Sequence, residues 1–200
     1  MTARVQVPAP RGGYSGATLH LDIDPTEHQR RQNAGIGTVT GHGFGGLDHL
    51  MALPAGLPVP VNTLTKAQQE YVRRAPAGIL TVEDGQVTRH AIRPCRVTLA
   101  TVRSKSATKR SLESASRFAP FCARTVVIER HHPHMNYNLL EFGFYGIGVV
   151  LERPDGTTET LITPRPWRPM RHTPAAWWFA ENAYAAYLTH IRTDEGATQR

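Results

Sequence analysis

The stretch "GILTVEDGQVTRHAIRPCRVTLATVR", residues 78–103, decides how the rest of the chain is read. Two short β-favouring runs, "GILTVE" and "QVTRHAI", flank Asp84-Gly85, the dipeptide that a two-residue type I′ turn requires because both of its central residues take positive φ. "RVTLATVR", Arg96–Arg103, reads as a third strand of the same kind, so residues 79–103 are expected to form an antiparallel meander.

Toward the carboxyl terminus the pattern becomes helical over 106–119. Leu112, Ala115, Phe118 and Ala119 share one face, and Lys109, Glu113 and Arg117 stack at i, i+4, i+8 on another. "RTVVIER" then reads as a fourth strand and "LLEFGFYGIGVVLE" as a long fifth, whose glycines mark a bulge or a close backbone approach. After the "RPDG" turn, "TTETLITP" returns as a sixth strand. A closing helix over 174–191 has Thr173 as N-cap and Pro174 at its first position. Its apolar face, with Trp177, Trp178, Phe179, Tyr184, Tyr187 and Leu188, is wide enough to cap a sheet.

Toward the amino terminus, Thr65 and Gln68 have capping-box spacing at the head of a helix over about 65–75 that Pro76 should end. The first 62 residues are rich in turn formers, with one strand at Ala17–Ile23 and a short polar helix near 25–32. The expected fold is therefore a single α+β domain. It has a loop-rich segment over 1–62, an α+β core over 63–193 with a mainly antiparallel sheet at about 79–163 and three helices, and a disordered tail over 194–200.

A chain of 200 residues with 40% hydrophobic content can bury one ordinary core. It has no apolar run long enough to span a bilayer and no secretory pattern at its start, which predicts a cytoplasmic protein with no membrane partner. Cys95 and Cys122 form no CxxC pair and read as buried thiols. The net charge of +7 is local. Residues 1–88 carry seven basic and seven acidic side chains, 89–130 carry ten and two, and 131–200 carry six and seven.

The basic block is the strongest functional signal, because charges gathered on one face reward a phosphate polyanion by releasing its counterions. Arg96, Arg103, Lys105, Lys109, Arg110 and Arg117 are the expected nucleic-acid contacts, and Ser104, Ser106, Thr108, Ser111, Ser114 and Ser116 supply short hydroxyl donors beside them. This reading gives a bacterial, DNA-associated regulatory or accessory protein of transcription or replication control, with no cofactor.

A second reading is enzymatic. In "LHLDID", Leu19–Asp24, two aspartates at i, i+2 point to one side of a strand end, as the carboxylates holding a divalent metal for phosphoryl transfer do. The motif resembles the hydrophobic-Asp-hydrophobic-Asp signature of the archaeo-eukaryotic primase and primase-polymerase superfamily. That resemblance implies a divalent metal on Asp22 and Asp24 and a later histidine, for which His42 in "TGHG" is available. Asp24 followed by Pro25 also reads as a helix N-cap pair. The segment "ERHHPHMNYN", Glu129–Asn138, reads first as the exposed connection between the fourth and fifth strands; if extended, its His132 and His134 face one way as two ligands of one metal, with the third open among Glu129, Glu141, His172 and His190. The glycine-rich "AGIGTVTGHGFGG" lacks a Gly-Lys-Ser/Thr ending and is not a P-loop. A third reading is a partner-binding module that docks through the aromatic face of the last helix.

Overall fold

The structure, a computed structural model, describes residues 1–8, 16–40, 43–132, 135–169 and 171–198, excluding the side chains of 43–45 and 194–198. The described residues contain six α-helices, a six-stranded mixed sheet and a separate three-stranded sheet. The fold is thus α+β, but the expectation of three helices and one mainly antiparallel sheet is overturned. In the first third, strand β2 (Ala17–Ile23) and helix α1 (Pro25–Asn33) form where a strand and a short helix were expected, and strand β1 (Thr2–Val7) and helix α2 (Gly43–Ala52) add to them. The chain forms two compact units, one of Met1, Ile23–Arg96 and Arg171–Arg200, the other of Thr2–Asp22 and Val97–Met170.

In the first unit, β3 (Pro58–Pro60) is followed by a 3-10 turn at Val61–Thr63 and by α3 (Lys66–Arg74), whose capping box forms as Thr65 and Gln68 predict. Next come β4 (Leu80–Glu83) and β5 (Gln86–Arg89). The turn joining them is the predicted one, with Asp84 at φ 49° and Gly85 at φ 72°. The meander ends there. The third position in this sheet belongs to β3, which pairs Val59 with Val87, giving the order β3-β5-β4. Pro94 has no amide to lend to a ladder, and the chain leaves the small sheet ahead of it. The core of this unit gathers Leu47, Leu50, Leu53, Tyr71, Ile79, Val87 and Trp177, the last from α6 (Pro174–Thr198). Thr173 caps α6, its Oγ1 accepting from the amide of Ala176 at 3.1 Å.

At the heart of the same unit lies a fully buried ion cluster. The Arg31 guanidinium donates twice to Glu181, at 2.8 Å each, and through Nε to Glu27 at 2.7 Å. Glu181 also accepts from the amide of Val39 and the indole of Trp177. Burial works to lower the Arg31 pKa, but the hydrogen bonds and charges of Glu181 and Glu27 outweigh it and hold the guanidinium above its ordinary value.

The second unit is built on the large sheet, in the order β1-β2-β6-β7-β8-β9, where β6 is Cys95–Ser104, β7 Ala123–Ile128, β8 Gly148–Glu152 and β9 Thr158–Ile162. The pairs β6–β7 and β7–β8 are parallel. Parallel neighbours need a crossover, which α4 (Lys109–Ser116) and α5 (Asn136–Phe144) supply. The expected long fifth strand is therefore a helix and a strand. Met135 and Phe142 are buried at helical spacing, and the amides of Gly146 and Ile147 return to the carbonyls of Gly143 and Phe142, with Gly146 at φ 68°. Gly148 is the close backbone approach: a Cβ there would stand 2.7 Å from Cδ of Pro164 and 2.8 Å from Oγ1 of Thr125.

Candidate nucleic-acid interface

The carboxyl ends of parallel strands, where loops lead into the crossover helices, are the usual place for ligands in sheets of this kind. Here the last paired residues of β6 and β7 are Ser104 and Ile128. Just beyond them the amide of Arg130 donates to the carbonyl of Lys105 at 3.0 Å, which ties the two departing loops together. Asn138 Nδ2 donates to the carbonyl of Ala107 at 2.8 Å and brings the first turn of α5 to the same place. Thr108 and Ser111 form a capping box that starts α4.

This edge carries the exposed side chains of Lys105, Lys109, Arg110 and Arg130. No ion pair among the described residues involves Lys105, Lys109 or Arg130. Arg103 is already engaged, donating to both carboxylate oxygens of Glu152, one at 2.9 Å. That hydrogen bonding, helped by the charge of Arg103, holds the Glu152 carboxyl below the usual carboxylate range. Beside the pair, Glu129, Arg130, Glu152, Arg153 and Pro154 line an open groove of about 340 Å³. Arg153 pairs with Glu159 at 2.6 Å, so the positive excess lies on the β6–α4 and β7–α5 side of the groove.

The six residues expected to contact phosphate have different fates. Lys105, Lys109 and Arg110 lie together on the edge just described, and Arg103 lies next to it but paired with Glu152. Arg117 is half-buried, its Cζ 4.5 Å from the ring centroid of Phe118. Arg96 is exposed and belongs to the other unit. Of the expected hydroxyl donors, Ser111 and Ser114 are buried, and Ser104 donates to the carbonyl of Ser106. Arg130 joins the group only through the parallel pairing of β6 with β7, which separation along the chain conceals. Lys105-to-Arg130 adjacency has no signature in the sequence. No family model, curated protein or solved structure matches the chain.

The metal set is not assembled among the described residues, where no group of three or more His, Cys, Asp or Glu side chains stands close enough to hold an ion. Asp24 is the N-cap of α1, its Oδ1 accepting from the amide of Glu27 at 2.9 Å. Asp22 is half-buried on β2, opposite Thr2 of β1. His132 is exposed, with its amide against Met135 Sδ; His42 and His134 lie outside the described residues. Glu141 is on α5. Cys95 and Cys122 are buried, and burial pushes both thiols up to about 12. No helix of the described residues is long and apolar enough to cross a membrane. On α6, Trp177, Tyr184 and Tyr187 are buried and Trp178 and Phe179 half-buried, while exposed apolar residues include Leu57 and Val82 in the first unit and a group on and after α5, at Tyr137, Leu140, Phe144 and Tyr145.

Proposed function

We propose that the chain is a cytoplasmic nucleic-acid-associated regulatory or accessory protein that contacts phosphates through the carboxyl ends of β6 and β7 and the first turn of α4. One observation supports this above the others: the Arg130–Lys105 backbone bond sets Arg130 beside the loop that leads to Lys109 and Arg110 at the start of α4, and Lys105, Lys109, Arg110 and Arg130 are all exposed. The first unit offers no comparable surface on α3 and its hairpin. Arg73 and Arg74 are both paired with Glu70, and the hairpin tip bears Glu83 and Asp84. Exposed Tyr137, one residue before the Asn138 that anchors α5 to this edge, adds a ring on which an unpaired base can stack.

Fluorescence anisotropy with a labelled duplex and a labelled single strand of the same sequence tests the reading. Four neutralised phosphates give a log–log salt slope of about −3.6 on duplex, at roughly −0.9 per contact. Replacing Lys105, Lys109, Arg110 and Arg130 together by alanine abolishes binding at about 150 mM salt, whereas Arg73→Ala with Arg74→Ala leaves it unchanged. Salt-independent binding, or a quadruple variant that binds like the parent protein, eliminates the proposal.

A further inference from the structure

The first unit also holds a cavity of about 300 Å³ lined by Met51, Arg89, Ile92, Arg93, His172 and Trp177. Its lining combines two chemistries: a thioether, an aliphatic side chain and an indole together with two guanidinium groups and an imidazole. The indole is fixed in place, because Trp177 is 4% exposed and its Nε1 donates to Oε1 of Glu181 at 2.8 Å. Arg89 lies against that ring, with Cζ 5.4 Å from the ring centroid, and its Nη1 donates to the carbonyl of Leu50 at 3.1 Å. Neither contact brings it a negative charge. Its Nε is buried and has no hydrogen-bond partner among the described residues. Arg93 donates to Nδ1 of His172, which makes that nitrogen an acceptor and again places no anion against the guanidinium. Burial pushes both arginines below their ordinary values, in contrast to Arg31, which two carboxylates hold above it.

Removing a cation from water without an opposing charge is costly. The chain meets that cost at the fully buried Arg31 with Glu27 and Glu181, whereas at Arg89 and Arg93, both half-buried and both lining this cavity, the contacts just described bring no carboxylate. We propose that this cavity binds a small organic anion, a carboxylate or phosphate monoester on a flat apolar body, with Arg89 and Arg93 receiving the oxyanion and Met51, Ile92 and Trp177 the apolar part. Planar guanidinium forks match both oxyanions. At the roughly 30 Å³ that one water occupies in the liquid, the volume suits about ten non-hydrogen atoms, a single ring bearing an acid group. The pocket shares no residue with the basic edge of the second unit, so either site can fail without the other.

The probes are benzoate and phenyl phosphate, with benzamide as the neutral partner of benzoate, titrated into the full chain by calorimetry and by tryptophan fluorescence. Saturable one-to-one binding of at least one anion is expected, with benzamide weaker than benzoate by about tenfold or more if benzoate is the ligand. Benzoate alone binding assigns a carboxylate, and phenyl phosphate alone assigns a phosphate monoester. Arg93→Gln, at a half-exposed position, weakens the bound anion by about tenfold while keeping the parent melting curve, and Arg103→Gln on the other unit leaves affinity unchanged. Equal affinity for the neutral and charged probes, full affinity in Arg93→Gln, or no saturation by either anion at about 10 mM overturns the proposal.

Discussion

Single residues carry the clearest energetic consequences. Arg31 and Glu181 are both 0% exposed, so removing Glu181 takes two charged hydrogen bonds from a guanidinium in the interior and leaves it only the carboxylate of Glu27. Glu181→Ala should cost about 3–5 kcal/mol in urea unfolding, and Arg31→Met combined with Glu181→Leu should cost markedly less, because both charges leave together. The chain pattern gave little warning of this pair, since the two residues are 150 positions apart and an arginine on a polar nine-residue helix reads as solvated. Cys95 and Cys122 behaved as their sequence context suggested. With thiols at about 12 they stay protonated at pH 8, so alkylation should be slow in the native protein and fast in denaturant. Their folded values lie above the ordinary thiol range near 9, so the stability linked to them is complete below that range and is lost as pH rises from about 9 toward 12. Unfolding curves across that interval, compared with Cys95→Ala, measure it.

At the scale of elements, local chemistry was legible wherever a cap or turn decides the outcome. Thr65 with Gln68, Thr173 ahead of Pro174, and Asp84-Gly85 each act through atoms a few positions apart, and each forms as read. Gly85→Ala should destabilise by about 1–2 kcal/mol, since an L side chain must then take φ near 72°. Thr108→Ala should cost about 1 kcal/mol by removing the cap of α4. Elements whose type depends on what they pack against were not legible. The run from Leu139 to Glu152 fits a buried strand and a half-buried helix alike. Only the covering of Phe142 and the turn at Gly146 divide it. Gly148→Ala tests the close approach identified there; with Pro164 and Thr125 in the way of a methyl group, a loss of about 1–3 kcal/mol is expected in the same unfolding assay.

For the whole molecule, the path of the chain matters more than any one element. The first unit closes only when α6, from the far end of the sequence, brings Trp177, Tyr184 and Glu181 to residues of 23–96. A chain ending at residue 170 should therefore lose hydrogen-exchange protection across α2, α3 and the β4–β5 hairpin. Retained protection there would show that α6 is dispensable to that core. By itself the sequence determined the α+β class, the capped helix starts, the hairpin, the burial of both thiols and the local concentration of positive charge, all of which depend on residues that are neighbours along the chain. Tertiary structure alone decided that β6, β7 and β8 run parallel, that Arg103 pairs with Glu152, and that Arg89 and Arg93 line one cavity. Hydrophobic periodicity records how far a residue is buried but not which partner buries it, and strand direction and charge pairing are set by partners tens of residues away.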